Sequence, residues 1–355
     1  MNESYAAARI HAMLSRNMTD AQYNALANMS IPEIFSMLQS GDYREDINAL
    51  SLRDLDDPEV VDRMLVHNSR RLIGKIRHIA GGEFTEALER YAKNNDEWNL
   101  RVVLEAIASG NDPHAAITQY GKQGTLDTAG YERARTVAEF ARMITERLHV
   151  TGDLSTTHGI AIALRGLHAA PESRARKDRV MDRTYDLLID CDNIITIILL
   201  KRDGVHGARA LERLHRGGTI RQSTLRDACE PKSVIDTLRA LERTPFRAAV
   251  TTALRRGDDD RFVMLEYDIR MITLRMIKRM AGIAPLHAAV LMHYLVDKER
   301  EHHNLRLIIK AKHLGLDATF IQSHMMLSAT PIEKSDATKN STGSGAIVAS
   351  IGGAA

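Results

Sequence analysis

The sequence predicts an all-α protein made of three similar helical subdomains, and three observations carry that prediction. Helix formers dominate, with only 8 prolines in 355 residues and 5% aromatic residues against abundant Ala, Leu, Ile, Met, Arg and Glu. Apolar residues recur every three or four positions, and strict alternation, the mark of a strand, is essentially missing. One phrase occurs three times: Asn99-Leu-Arg-Val-Val-Leu-Glu-Ala-Ile-Ala-Ser-Gly110, Asn193-Ile-Ile-Thr-Ile-Ile-Leu-Leu-Lys-Arg-Asp-Gly204 and Asn304-Leu-Arg-Leu-Ile-Ile-Lys-Ala-Lys-His-Leu-Gly315. In each copy apolar residues follow the Asn at +1, +4 and +5, and a Gly closes it at +11. An acid stands three residues before each Asn: Asp96, Asp190 and Glu301. A unit of roughly one hundred residues used three times is the expected organisation, with repeats over 1–112, 113–205 and 206–328 and a flexible tail over 329–355.

Taken in order, Tyr5 to Ser15 carries Ala8, Met13 and Leu14 beside Ile10, which fits a first helix with one apolar face. Thr19-Asp-Ala-Gln22 has the form of a capping box, and Ser30-Ile-Pro-Glu33 starts a further helix with Ser30 as cap and Pro32 in the tolerated first turn. Leu38-Gln-Ser-Gly-Asp-Tyr43 sets a leucine five residues before an aromatic, as does Leu241-Glu-Arg-Thr-Pro-Phe246, each at a comparable distance before an Asn phrase. Leu126-Asp-Thr-Ala-Gly-Tyr131 is a weaker third copy, because no Arg follows it. The clearest long helix is expected from Pro285 to Gly315, with proline near its start and glycine at its end. Its middle, Asp297 to His303, is polar, so that turn is expected to be solvated or bent. The tail holds Ser, Thr, Gly, Ala and Asn with little to bury.

On a helix, +1, +4 and +5 share one stripe, so Leu100, Val103 and Leu104 point inward, as do Ile194, Ile197 and Ile198, and Leu305, Ile308 and Ile309. The acid and the Asn sit where that stripe begins. Buried there, they need partners, since an unpaired polar group costs about 1–3 kcal/mol. They are expected to bond to backbone or Arg groups of adjoining elements and to hold each unit together.

Other chemistry is set aside. Charge is nearly balanced, 48 basic against 46 acidic residues, so no broad field draws nucleic acid or anionic lipid. The stretch Arg174-Ala-Arg-Lys-Asp-Arg179 lacks interleaved aromatics and reads as a solvated helix face. Two cysteines, Cys191 and Cys229, make no disulfide framework, and Cys191 reads as a small buried hydrophobe. No signal peptide opens the chain, and the run Ile194 to Leu200 is far too short to span a bilayer, which predicts a soluble intracellular protein. Glu146/His149, Glu212/His215 and Glu299/His302 have the Glu-x-x-His spacing of di-iron bundles. Each Glu is followed by Arg, and the first two pairs run into glycine-containing helix ends, where His and Arg suit the dipole. No metal, no cofactor and no catalytic residue is expected. The nine positions singled out as a structural signature are Asp96, Asn99, Gly110, Asp190, Asn193, Gly204, Glu301, Asn304 and Gly315.

The form acid-x-x-Asn-Leu-Arg-x-Ile-Ile-x-x-Lys-x-x-Gly at Glu301 to Gly315 resembles the C subunit of the archaeal and bacterial A/V-type ATP synthases, the relative of the d subunit in eukaryotic V-ATPases. Tyr5-Ala-Ala-Ala-Arg9-Ile-His-Ala-Met13 and the turn Leu38 to Tyr43 are similar to that family as well. Repeat two departs with Ile195 where Arg101 and Arg306 stand, and repeat one with Ile107 where Lys201 and Lys312 stand. The resemblance implies a funnel of three subdomains around a pseudo-threefold axis, peripheral on the cytoplasmic side of the membrane. It implies a non-catalytic rotor connector of an ATP synthase, with the proteolipid ring and the central-stalk subunits as partners, transmitting torque for ATP-coupled proton or sodium transport. No nucleic acid is implied, and membrane contact is indirect, through the ring. A generic helical-repeat interaction scaffold is the alternative, and a helix-bundle metalloenzyme a third.

Overall fold

Capping decides where the first helices begin. Thr19 accepts a hydrogen bond from the Gln22 amide at 3.3 Å while the Gln22 side chain accepts from the Thr19 amide at 2.9 Å, which opens α2 (Asp20–Asn28). The Glu33 carboxylate takes the Ser30 amide and hydroxyl, both at 2.7 Å, at the head of α3 (Ile31–Gln39). Before them lies α1 (Glu3–Leu14), whose buried face is Ala6, Ala7 and Ile10, with Ala8 turned outward. In this computed structural model, residues 3–50, 57, 59–122, 124–165, 179–202, 204–256 and 261–328 are described, and every regular element among them is a helix. The tail at 329–355 and residues 174–178 of the basic stretch lie outside the described residues.

The chain continues through α4 (Arg44–Asn48), α5 (Val60–Ile79), α6 (Glu83–Ala108), α7 (Pro113–Tyr120), a 3-10 turn at Thr128–Gly130, α8 (Val137–Leu148) and α9 (Thr157–Arg165). It goes on through α10 (Arg179–Arg202), α11 (Ala208–Leu211), α12 (Gln222–Cys229), α13 (Val234–Leu241), α14 (Arg247–Arg255), α15 (Arg261–Ile283), α16 (Ala289–His313) and α17 (Ala318–His324). The three Asn phrases fall in the second halves of α6, α10 and α16.

Each of those helices divides its apolar surface between two cores. The first halves meet in a common cluster: Phe84 and Leu88 of α6, Tyr185 and Leu187 of α10, and Ala289 to Met292 of α16, with Ile10, Ile76 and Ile277 from α1, α5 and α15. The second halves each build a separate cluster. Leu100, Val103 and Leu104 pack with Ile117, Phe140 and Ile160. Ile194, Ile197 and Ile198 pack with Leu225, Leu238 and Phe246. Leu305, Ile308 and Ile309 pack with Tyr23, Ile34, Leu38 and Leu65. All nine stripe positions are at most 4% exposed.

Pro285 does not start the helix that carries the third phrase. It lies in the turn after α15, and α16 begins at Ala289. Nor is the polar middle of α16 solvated, because four of its charged residues are buried and every charge has been given a partner. Asp297, Lys298, Arg300 and Glu301 are each at most 9% exposed. Arg300 pairs with Asp297 at 3.0 Å and Lys298 with Glu301 at 2.7 Å, while Tyr91 donates to Glu299 at 2.6 Å. Buried charge survives only in such company.

Candidate functional site

An asparagine side chain carries one acceptor and two donors, which matches the carbonyl and amide of a single backbone residue. All three signature asparagines use that match. Asn99 Nδ2 donates to the Lys122 carbonyl and Asn99 Oδ1 accepts from the Lys122 amide, both at 2.8 Å. Asn193 holds His215 in the same way at 3.1 and 2.7 Å, and Asn304 holds Met326 at 3.1 and 2.8 Å. Asn193 and Asn304 are fully buried and Asn99 is 4% exposed. Each clip therefore pins, to the start of the buried stripe, a strand of irregular backbone that would otherwise bring unpaired polar groups into the core.

The acids add a second hold. Asp96 accepts from the Thr125 amide at 2.6 Å, the Leu126 amide at 2.9 Å and the Thr125 hydroxyl. Asp190 accepts from the Thr219 amide at 2.9 Å, its hydroxyl at 2.5 Å and the Ile220 amide at 3.1 Å. A glycine precedes each threonine, and a Cβ on Gly124 or Gly218 would stand about 2 Å from the carboxylate it faces, so only glycine admits the acid there. Glu301 does something else. It takes the Met18 amide and the Tyr43 hydroxyl, each at 2.7 Å, from the opposite end of the chain. Burial, with Glu301 beside it, pushes the Tyr43 phenol well above its ordinary pKa, so the hydroxyl stays a donor. The Leu38–Tyr43 turn, tied by spacing to the Asn99 phrase, thus packs against the Asn304 phrase.

The closing glycines make three Schellman caps. Gly110, Gly204 and Gly315 have φ of 71°, 74° and 72°. The amide after each reaches back to Ala106, Leu200 and Ala311 at 2.9, 2.7 and 2.9 Å. Nothing lies within 4 Å of a Cβ built on any of the three, so substitution meets backbone strain and no clash. Gly204→Ala and Gly315→Ala are each expected to destabilise by about 1–2 kcal/mol. Chemical denaturation checks this, and an alanine at either position without effect would contradict the left-handed cap.

The departures among the repeats have distinct consequences. Arg306 donates from Nε to Asp62 at 2.6 Å and Arg101 lies 4.0 Å from Glu97, whereas Ile195 is buried in apolar company. Lys201 holds the Cys229 carbonyl and the Pro231 carbonyl, the latter at 2.5 Å, and Lys312 holds the Ala27 carbonyl at 2.9 Å; Ile107 packs in the apolar cluster instead. Of the Glu-x-x-His pairs, Glu299 bonds Tyr91 and His302 bonds Asn68 at 3.1 Å, while His149 forms the left-handed cap of α8. His215 is the residue that Asn193 clips. Thr125 and Thr219 are not among the signature positions, although each stands 29 residues beyond its aspartate and follows a glycine. Thr330 has the same spacing after Glu301 and lies outside the described residues.

Among the described residues, no helix is long and apolar enough to cross a membrane. The family described as ATP synthase (C/AC39) subunit matches residues 6–324. The chain is similar to the C subunit of the A-type ATP synthase of Methanococcoides burtonii, 22% identical over 352 residues that cover 92% of this chain and 94% of that protein. It is similar to the same protein of Haloferax volcanii, at 22% identity with 92% and 98% covered, and of Pyrococcus abyssi, at 26% identity with 86% and 85% covered. With the family match spanning residues 6–324 and all three signature asparagines, the chain belongs to the ATP synthase (C/AC39) subunit family.

Proposed function

We propose that this protein is the non-catalytic rotor connector of an A/V-type ATP synthase, linking the central stalk to the membrane proteolipid ring and passing torque between them. The observation that carries the reading is the threefold recurrence of one joint: an asparagine clip, a nearby buried acid and a glycine cap on α6, α10 and α16. Three like units disposed about a pseudo-threefold axis would form a funnel, whose cavity accepts the stalk and whose rim rests on the polar loops of the ring. A body that transmits torque must not shear between its parts. Buried, fully paired polar joints favour that stiffness, because slipping by one residue would strand both halves of a clip in a dry interior. The protein would sit on the cytoplasmic side of the membrane, with lipid contact only through the ring.

Affinity-tagged protein expressed in its own cell is expected to bring down proteolipid, stalk and nucleotide-binding subunits of the rotary complex together. Recovery of a stable complex with unrelated proteins alone would overturn the reading. Such a result would favour a helical-repeat scaffold of general use.

A further inference from the structure

The three clip helices draw their surroundings from different directions along the chain. α6 holds Lys122, Thr125 and Leu126, and its second-half cluster is completed by α7, α8 and α9, all downstream of it. α10 likewise uses residues downstream, from His215 to Ile269. α16 has only α17 and the Met326 segment downstream among the described residues. What completes its cluster comes from the far end of the chain: Tyr23 and Leu26 of α2, Ile34 and Leu38 of α3, and Val61 and Leu65 of α5.

Those elements repeat the ones that follow α11. The lysine at +8 of the phrase holds the end of the opening helix, Lys312 at Ala27 in α2 and Lys201 at Cys229 in α12. A second helix follows, then a leucine and a buried aromatic, Leu38 with Tyr43 and Leu241 with Phe246. Each aromatic is the N-terminal cap residue of a short helix, α4 or α14, and each short helix leads to a long one, α5 or α15. The next clip helix starts directly after: α6 follows α5, and α16 follows α15.

We propose that residues 18–79 complete the unit founded on α16, so that the molecule is a ring of three units whose third member is assembled from both ends of the chain. This rests on the triplicate reading above and replaces a division in simple chain order. The seam is not covalent. Arg300 fastens it, donating from Nη1 to Asp20 at 3.2 Å and to the Ser328 hydroxyl at 2.8 Å, one partner from each end of the chain. Glu301 beside it ties Met18 and Tyr43 to α16. α1 falls outside the repeat and acts as a strap, packing on α16, α5 and α6 and donating from His11 to the Pro285 carbonyl at 2.9 Å.

The seam predicts which parts come loose together, and hydrogen exchange on the full-length Glu301→Gln protein reads it. Protection is expected to fall about tenfold across 20–48 and 318–326 as one block, the effect of weakening one charge-assisted bond. Residues 83–165 should keep theirs. Loosening of 20–48 together with α6, or no loosening at all, would overturn the proposal. A circular permutant gives a second reading should that variant fail to fold. Joining Ala355 to Met1 through the tail and opening the chain between Ala80 and Gly81 leaves every unit contiguous, and the permutant is expected to match the parent in helicity and to melt within about 4 °C of it. A molten permutant would refute the ring. Recovery of rotary-complex subunits is scored separately, so a failed ring and a failed function are told apart.

Discussion

Replacing Asn304 with leucine is expected to destabilise the protein by about 4 kcal/mol, although the new side chain is apolar and of similar size. The loss comes from Met326, whose amide and carbonyl would both be left in a dry interior without partners. Each such group is worth about 1–3 kcal/mol. Asn193→Leu should lose less, because His215, whose amide and carbonyl it holds, is only part-buried. Asn99→Leu should lose less, because Asn99 is slightly exposed and water can reach part of the vacated site. In a chain of this size unfolding need not be all-or-none, so the measurement pairs a denaturation midpoint with exchange at residues 318–326. A shift below about 0.5 kcal/mol for Asn304→Leu would remove the packing role of the clip.

Asp46→Ala carries the second large effect, about 3–5 kcal/mol, by leaving the buried Asn68 amide and the largely buried Arg71 guanidinium around an empty place. Its carboxylate is enclosed by Arg71 at 2.7 Å, Asn68 at 2.7 Å and His67 at 2.6 Å, which ties α4 to α5. Burial by itself raises this carboxyl, but the bonds from Arg71, Asn68 and His67 outweigh it and hold the group below the ordinary aspartate value. The sign for pH follows. Below about 3.9 the unfolded chain takes up a proton that the folded chain still refuses. The stabilisation is therefore complete above that value and is lost as pH falls through the lower folded value. An acid titration of stability should be flatter for Asp46→Ala than for the parent below about pH 4. Equal slopes would show that the fold does not lower the Asp46 pKa.

How far the sequence could be read depends on which atoms make each contact. Helix ends were readable because they select side chains: Thr19 with Gln22, Ser30 with Glu33, and glycine where φ is positive at 110, 204 and 315. The inward stripe was readable because burial selects apolar type at a fixed period. The residues seized by the clips were not, since Lys122, His215 and Met326 offer only an amide and a carbonyl, which nearly every residue carries. Pro285 misled because a proline suits a preceding turn as readily as a first helical turn. The charged middle of α16 misled for a different reason. Seven polar residues in a row look solvated until their partners, Asn17 after α1, Asp20 on α2, Tyr91 on α6 and Ser328, are brought alongside by the fold.

The enclosure of those charges separates two kinds of salt sensitivity. Mobile ions screen exposed charges over about 8 Å at physiological strength but hardly enter a packed interior. Arg300 with Asp297 and Lys298 with Glu301 keep side-chain exposures of 12% or less, whereas a surface pair such as Arg142 with Glu146 is about two-thirds open. Raising the ionic strength should therefore weaken whatever polar contacts this protein makes with its neighbours long before it touches the protein's own architecture. A chaotrope-free brine wash offers a gentle way to detach the protein intact.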